Sequence, residues 1–241
     1  MKWTIVTGDS GTLGHEIVKS ILADSTYAVI GISRGNNNLI EDLQETHPNR
    51  YIHIGYDLLN VDGIKNLYLK EIKKIGPVYG LVNNSAAAYD DIVTNINTSK
   101  LEDMFKVNVF AAMIMTKYAI RDMLLNKTKG SIVNITSVSA HTGYKGLSMY
   151  ASTKGALEAF SKGIAREWGE LGIRCNCVAP GFMGSSMTSQ LSTEQKQRIF
   201  NRNSLKQETN VSSVAQTVKF LLSDNAASIT GEVIHVDNGT I

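Results

Sequence analysis

The sequence predicts an α/β protein with a doubly wound, Rossmann-type sheet of seven parallel strands and helices on both faces. Short runs rich in valine and isoleucine alternate along the chain with longer amphipathic runs. Most of the short runs lack the polar alternation of a half-exposed strand, which favours strands buried on both faces. Strict alternation of strand and helix implies right-handed crossovers. With 43% hydrophobic residues and no repeat or linker, residues 1–241 are predicted to form a single domain.

The predicted elements follow this alternation in order. The predicted strands are Trp3–Thr7, Ala28–Ser33, Tyr51–Ile54, Val78–Asn83, Ser131–Thr136, Arg174–Val178 and Val233–Val236. The predicted helices are Leu13–Ala23, Asn38–Glu45, Val61–Lys74, Leu101–Leu125, Met149–Glu170 and Val211–Leu222. Two helical stretches, Val107–Met115 and Ala151–Ala165, are apolar or small nearly all the way round. Because a surface helix needs a polar face, these stretches predict contact with another subunit or a covering loop.

Charge and composition argue against several classes of protein. The net charge is +2 and the basic residues are scattered, so no nucleic-acid partner is expected. No apolar run reaches the roughly 18 residues of a membrane helix, and the opening "MKWTIVTG" has the pattern of a strand rather than of a leader. Cys175 and Cys177 are too few for a zinc site and are predicted to be buried thiols. We therefore expect a cytoplasmic protein without a metal or membrane partner.

A glycine-rich turn follows the first predicted strand. In "TGDSGTLGHEIV", three glycines crowd the entry to the first helix. Such a turn lets backbone approach a pyrophosphate, and the helix N-terminus adds N–H donors and a positive dipole. The turn therefore predicts a dinucleotide site, against the alternative of a plain strand-to-helix turn. The predicted cofactor-binding residues of this loop are Gly8, Ser10, Gly11, Thr12, Leu13 and Gly14.

The end of the second strand predicts which nicotinamide cofactor binds. Arg34 lies twenty residues after Gly14, in "VIGISRG", and no acidic residue occupies positions 31 to 35. An acidic residue there would bind the 2′-hydroxyl of NAD, whereas an arginine accommodates the 2′-phosphate of NADP. Ser33 adds a hydroxyl and Arg34 a fork of donors suited to phosphate. NADPH is therefore the expected cofactor, with NADH the alternative.

A tyrosine and a lysine lie four residues apart in "MYASTKGALEAF". Positions i and i+4 share one face of a helix, so Tyr150 and Lys154 can point at the same spot. Ser137 precedes Tyr150 by thirteen residues, at the end of a predicted strand. The alternative for each residue alone is structural: a strand-ending serine or a solvated helix start.

These motifs resemble the short-chain dehydrogenase/reductase family, in its single-domain branch. The matching pieces run in the family's order over essentially the whole chain: "TGDSGTLG", "YDLLN", "LVNNSA", "VNVF", "IVNITSVSA", "YASTK", "NCVAPGF" and "ITGEVIHVDNG". Within the family, the chain is most similar to the 3-oxoacyl-acyl-carrier-protein reductases. The resemblance implies a homotetramer or a dimer.

The resemblance also implies a catalytic tetrad. Tyr150 would protonate the developing alkoxide, and the Lys154 ammonium would lower the pKa of Tyr150 towards the working range and hold the nicotinamide ribose. Ser137 would donate a hydrogen bond to the substrate oxygen, where charge builds up. Asn108 would hold a water that links Lys154 to solvent.

Further residues follow from the same resemblance. Asp57, Leu58, Asn84, Pro180, Gly181 and Ser185 would contact the cofactor, with Asp57 on the adenine side and Ser185 at the carboxamide. The stretch Phe182–Asn203 would form a mobile lid. His141, Tyr144 and Phe182 would line the substrate mouth, although His141 and Tyr144 could equally be loop surface.

The chain departs from the family pattern at three places. Thr12 replaces a glycine, and the resulting glycine spacing resembles that of the longer branch acting on nucleotide sugars. Ala86 replaces a glycine near the cofactor, and Glu170 and Leu171 stand where basic residues dock the carrier protein. The expected function is an NADPH-dependent reductase of a 3-oxoacyl thioester or ketone, with or without a carrier protein. The alternatives are a keto-sugar or polysaccharide-precursor reductase and a non-catalytic NADP(H) sensor.

Overall fold

A computed structural model describes residues 1–184 and 192–240. In these residues seven strands form one parallel sheet in the order β3-β2-β1-β4-β5-β6-β7. The strands are β1 Lys2–Thr7, β2 Tyr27–Ser33, β3 Tyr51–Gly55, β4 Val78–Asn83, β5 Ser131–Ile135, β6 Arg174–Pro180 and β7 Val233–Val236. The predicted fold class is confirmed, and each predicted strand differs from the observed one by at most two residues at either end.

The helices lie in the crossovers between strands. They are α1 Thr12–Leu22, α2 Asn38–Thr46, α3 Ile64–Leu67, α4 Lys73–Ile75, α5 Thr98–Phe105, α6 Ala111–Leu125, α7 Ser148–Trp168, α8 Thr193–Phe200 and α9 Val211–Leu222. Two helices predicted as continuous contain a wider π turn, at Tyr68–Ile72 and at Lys106–Phe110. The second begins before its predicted start, at Thr98, because the Asn97 side chain accepts from Lys100 N and caps it. Helix α8 was not predicted.

The sheet separates two apolar cores. Successive residues of a strand point to opposite faces, so Val6 packs with Val18 of α1 and Val218 of α9, whereas Ile5 packs with Met115 of α6. Every residue of β2 and of β4 is buried, as expected for central strands of a covered parallel sheet. None of the helices in the described ranges has the length and apolarity that a membrane span requires.

The strand order reverses beside β1, which lies between β2 and β4. In open parallel sheets the crevice outside the carboxyl ends of the strands at this point is where ligands bind. The loops that follow β1, β4 and β5 all end at this edge, and they carry the predicted glycine turn, Asn84 and Ser137.

Candidate active site

The three glycines of the loop after β1 differ in whether the backbone there requires glycine. Gly8 has a positive φ of 74°, which favours glycine. A Cβ on Gly14 would overlap the Gly8 carbonyl oxygen, so this glycine lets α1 pack against the loop. Gly11 is extended, with φ −87° and ψ 161°, and its nearest neighbour would be 3.5 Å from a Cβ. The loop therefore requires glycine at positions 8 and 14, while Gly11 could carry a side chain.

Residues after β4 brace this loop. Thr7 Oγ1 accepts hydrogen bonds from Asn84 N at 2.9 Å and Ser85 N at 3.0 Å. Asn84 Nδ2 donates to Thr7 O at 2.9 Å and to Gly8 O at 3.3 Å. The amide nitrogen of Asn84 therefore holds the loop and does not face a ligand. Gly11, the N-cap residue of α1, has no side chain with which to cap the helix. Its first N–H groups can therefore receive an anion, as a bound pyrophosphate would require.

The end of β2 offers a second fit to a dinucleotide. Ser33 is buried, and its Oγ has no hydrogen-bond partner among the described residues. Arg34 follows it and is exposed. Buried hydroxyls normally find a partner, so an unpaired Oγ at this position suits a ligand oxygen. Together with the glycine cradle and the uncapped helix, it makes these residues fit the adenosine half of a nicotinamide cofactor.

Asp57 and Leu58, two other residues predicted to contact the cofactor, differ in exposure. Asp57 is exposed, and its Oδ1 accepts from Leu59 N at 3.0 Å within its own turn. Leu58 is 6% exposed and packs in the core on the α6 face of the sheet. Only the backbone of Leu58 can therefore meet a ligand, while the outer oxygen of Asp57 stays accessible.

Three catalytic candidates meet where β5 ends and α7 begins. Lys154 Nζ donates to Ile135 O at 2.9 Å, two residues before Ser137. The same Nζ lies 5.5 Å from the centre of the Tyr150 ring. Ser137 Oγ accepts from Ser139 N at 3.2 Å, which leaves the hydroxyl proton of Ser137 free to be donated. No hydrogen bond to the Tyr150 hydroxyl is made by the residues described.

Burial dominates the electrostatics of the tyrosine and the lysine. Burial lowers the pKa of Lys154 to about 8. Burial, and next the charge of Asp90, raise the pKa of Tyr150 to about 12. In this arrangement desolvation of the phenolate sets the direction of the Tyr150 shift, and the Lys154 ammonium bonds the Ile135 carbonyl. The predicted lowering of the Tyr150 pKa by Lys154 stays a prediction.

Asn108 lies in the π turn Lys106–Phe110 and is 1% exposed. Its Oδ1 accepts from Ala87 N at 2.7 Å, and its Nδ2 donates to Ala87 O at 2.9 Å and to Thr153 Oγ1 at 3.0 Å. Widened turns of this kind occur often at functional sites. Here the turn directs Asn108 at the residue before Lys154 and ties α7 to the loop after β4. The predicted bound water stays a prediction.

The three residues predicted to line the substrate mouth make contacts with other parts of the protein. His141 Nε2 bonds Glu158 Oε1 at 3.0 Å and the ring packs edge-on against His235, a placement that gives no support to a role at the substrate mouth. Tyr144 is partly buried in the turn before α7. Phe182 packs edge-on against Phe200 of α8, with ring centres 5.8 Å apart.

The turn after β6 is closely packed. Pro180 ends β6, and Gly181 N donates to Val236 O at 2.9 Å. A Cβ on Gly181 would come within 2.5 Å of Thr209 Oγ1, so this position needs glycine. Ser185 and the middle of the predicted lid lie outside the described residues.

Two acidic residues that the sequence did not predict lie beside the site. Asp91 N donates to Gly146 O at 3.0 Å, which ties the loop after β4 to the turn before α7. Asp90, next to it, is exposed and acts electrostatically on Tyr150. Two acidic residues in a polar loop carry no periodic signal, so nothing in the sequence pointed to this placement.

A doubly wound parallel sheet with a glycine loop at its switch point defines a Rossmann-type protein, and comparison with known proteins gives the family. The family model described as "Enoyl-(Acyl carrier protein) reductase" matches residues 12–240. The 3-oxoacyl-(acyl-carrier-protein) reductase FabG of Buchnera aphidicola subsp. Baizongia pistaciae is 31% identical over 238 residues, covering 99% of this chain and 96% of its own. The L-xylulose reductase of Caenorhabditis elegans is 32% identical over 240 residues, covering 99% and 95%.

Among solved structures, a 4-hydroxyisoleucine dehydrogenase complexed with NADH superposes with a TM-score of 0.92 at 26% identity, covering 100% of this chain and 98% of its own. The chain belongs to the short-chain dehydrogenase/reductase family. It is an oxidoreductase of that family, as the sequence predicted.

Proposed function

We propose that this protein is an NADPH-dependent reductase that acts on the carbonyl of a small molecule, either a 3-oxoacyl thioester or a ketone. The observation that carries the proposal is the bond from Lys154 Nζ to Ile135 O, which brings the Tyr150–Lys154 face of α7 to the strand end that carries Ser137. When bound, the cofactor supplies the hydride. The residues of the chain supply the proton and the hydrogen bonds.

Each residue then has one task. Tyr150 is protonated at neutral pH, since its pKa is raised to about 12, and its hydroxyl can give a proton to the developing alkoxide. Ser137 donates a hydrogen bond to the same oxygen, where negative charge grows. Lys154, with a pKa lowered to about 8, is mostly protonated at pH 7 and adds positive charge beside Tyr150. Reversal of these steps oxidises the alcohol.

The preference for NADPH rests on the end of β2. Arg34 is exposed next to the unpaired Oγ of Ser33, and a guanidinium matches the geometry of a phosphate. The related dehydrogenase of known structure was solved with NADH, so likeness to it does not favour NADPH. The assignment to NADPH is therefore drawn from this chain's own residues, with NADH as the alternative.

A second candidate function is reduction of a keto-sugar. It is favoured by the L-xylulose reductase, which is as similar to this chain as the FabG relatives are. Glu170 and Leu171 are both exposed where the family's carrier-protein reductases place basic residues, which weakens the case for a carrier-bound substrate. A non-catalytic NADP(H) sensor is disfavoured because it would not need Ser137, Tyr150 and Lys154 near one another.

A panel of substrates tests these alternatives. Consumption of NADPH would be followed by its absorbance with ketones, 3-oxoacyl thioesters and keto-sugars, and each rate would be repeated with NADH. Turnover of any of them supports a reductase, and the fastest class assigns the substrate. If the protein binds NADPH and reduces none of the panel, a sensor becomes the better account.

The proposal includes assembly into a homotetramer or a dimer. Between α6 and α7 lies a groove of about 240 Å³ whose apolar lining residues are Met113, Ile120, Leu124, Phe160, Ile164 and Trp168. Of these residues, Met113 belongs to the first stretch that the sequence predicted to need a partner, and Phe160 and Ile164 belong to the second. Light scattering is expected to give the mass of two or four chains; a stable monomer at micromolar concentration would contradict it.

The proposal also keeps the predicted cytoplasmic location. Cys175 and Cys177 are both buried and both unpaired by disulfides. They lie two residues apart on one face of β6, with Cys177 Sγ donating to Ser161 Oγ at 3.0 Å. Free structural thiols are typical of proteins that work in a reducing compartment.

A further inference from the structure

A second group of buried ionisable side chains lies behind the glycine loop, away from the catalytic residues. Asp9 follows Gly8 in the loop and is 0% exposed. Its Oδ2 accepts from the Tyr51 hydroxyl at 2.6 Å and bonds His53 Nδ1 at 2.8 Å. The Tyr51 hydroxyl is a donor, and the His53 tautomer that carries its proton on Nδ1 is a second donor to the same oxygen. This arrangement matches an ionised carboxylate, which can only accept. The loop that receives the cofactor thus carries a buried negative charge.

Strand β2 is shaped to hold this carboxylate. Gly31 faces Asp9, and a Cβ on Gly31 would overlap the carboxylate and crowd the Tyr51 hydroxyl. Gly31 is paired with His53 of β3 in the sheet register. Burial, and next the charge of Asp9, raise the pKa of Tyr51, so Tyr51 stays a donor at neutral pH. The glycine loop, β2 and β3 therefore form the cluster together.

The cluster lies one step along β2 from the predicted 2′-phosphate position. Gly31 and Ser33 lie on the same face of β2, and two residues of a strand span about 7 Å. Three polar atoms in this region are buried and have no partner among the described residues: Asp9 Oδ1, His53 Nε2 and Ser33 Oγ. Asp9 Oδ1 therefore has no hydrogen-bond donor among the described residues, and it belongs to the region where β2 ends before Arg34.

We propose that Asp9 is a cofactor-specificity residue, whose buried carboxylate opposes the 2′-phosphate that Arg34 attracts and so limits the preference for NADPH over NADH. The proposal deepens the proposed function and rests on its cofactor site. Because NADH lacks the 2′-phosphate, the charge of Asp9 acts on NADPH alone, while any role of Asp9 in holding the loop acts on both cofactors equally. The ratio of the two affinities separates charge from structure.

The test is to measure the dissociation constants of NADPH and NADH for wild type and Asp9→Asn, by fluorescence at one salt concentration. Asparagine keeps the size of the side chain and removes its charge. For a unit charge separated from a solvent-exposed phosphate by roughly the span of two strand residues, Coulomb's law gives roughly a three- to tenfold change in affinity. The affinity ratio of NADPH to NADH is expected to rise by that factor.

Tyr51→Phe is the matched control, since it removes a donor from Asp9 and leaves the charge in place. Its ratio of affinities is expected to stay within about twofold of wild type or to move towards NADH. If Asp9→Asn does not fold, as judged by its thermal transition, Asp9→Ala gives the same comparison with a smaller side chain.

Two results would overturn the proposal. Equal weakening of both cofactors would make Asp9 a residue that only supports the loop, and an unchanged ratio would show that its charge does not reach the 2′ position. Neither result depends on which cofactor the wild type prefers, because the proposal concerns the shift. Failure of the proposed function would instead appear as wild-type protein that binds neither cofactor or reduces no carbonyl.

Discussion

Lys154 and Asp9 are both ionisable side chains hidden from solvent, and they lie at the two ends of the same crevice. Lys154 is 2% exposed and makes one hydrogen bond among the described residues, to the Ile135 carbonyl. Asp9 is 0% exposed and is held by Tyr51 and by His53. An ammonium has three donors, so Lys154 keeps two that the described residues do not use. The catalytic end therefore keeps unused donors, while the adenosine end keeps a buried carboxylate oxygen, Asp9 Oδ1, that no described residue bonds.

Because of this difference, we expect the catalytic end to control turnover and the adenosine end to control cofactor affinity. At the catalytic end, burial moves the pKa of Lys154 down and that of Tyr150 up, so both groups are held towards their neutral forms. At neutral pH the cost in stability falls on the buried Lys154 ammonium, and perturbed pKa values of this kind cluster at functional sites. At the adenosine end, the Asp9 carboxylate and the Arg34 guanidinium lie near the predicted 2′-phosphate position. Changes at the first end should alter turnover, and changes at the second should alter cofactor affinity.

The largest expected effect is on turnover, in Tyr150→Phe. The change removes the proton donor and keeps the ring, and general acid catalysis is worth roughly 10²–10⁴-fold. We expect turnover to fall by that factor while the dissociation constant of NADPH stays nearly unchanged. Steady-state rates and a fluorescence titration measure the two quantities.

Tyr118→Phe is the matched control for this variant, because Tyr118 stacks on Tyr68 away from the site and its loss should leave turnover unaltered. A Tyr150→Phe protein that works at the wild-type rate on its best substrate would remove Tyr150 from the mechanism.

A smaller effect, confined to affinity, is expected in Arg34→Ala. A hydrogen bond to a charged group is worth about 1.5–3 kcal/mol, and each ~1.4 kcal/mol is tenfold in affinity. NADPH should bind roughly ten- to a hundredfold more weakly, NADH should be almost unaffected, and turnover at saturating cofactor should hold. Ser33→Ala should show a lesser loss, since a neutral hydroxyl makes the weaker bond. A wild type that prefers NADH would refute the assignment of Arg34.

The sheet, its strands and the helical spacing of the Tyr150–Lys154 pair could be predicted from the sequence because each depends on local pattern. Buried strands are short apolar runs, and Tyr150 and Lys154 are one helical turn apart. The π turn that aims Asn108 could not be predicted, since a widened turn has the same apolar pattern as a regular helix. The Lys154–Ile135 bond joins residues 19 apart and has no local signature.

The Asp9 cluster was missed for a related reason. Asp9, Tyr51 and His53 are brought together by the register of β2 and β3, and a polar residue in a loop is usually exposed. One signal was available. Gly31 lies between Ile30 and Ile32 inside β2, and a glycine inside a strand often marks the close approach of another group.

The central claim is that Lys154 is a buried cation kept for catalysis at a cost to the fold, and Lys154→Met tests it most directly. Its pKa is lowered from 10.5 to about 8, so below pH 8 the folded protein bears the full cost of the buried charge. Between pH 8 and 10.5 the unfolded chain binds more protons, so wild-type stability rises with pH and the cost is relieved.

The measurement is the free energy of unfolding by denaturant, at pH 7 and at steps up to pH 10, for wild type and Lys154→Met side by side. Each pKa unit is 1.36 kcal/mol and the lost bond to Ile135 offsets part of the gain, so the variant should be more stable by roughly 1–3 kcal/mol at pH 7. That advantage should shrink as the pH rises, and the variant should have lost its turnover. A Lys154→Met protein that is less stable than wild type at pH 7, with no dependence of the difference on pH, would contradict the account.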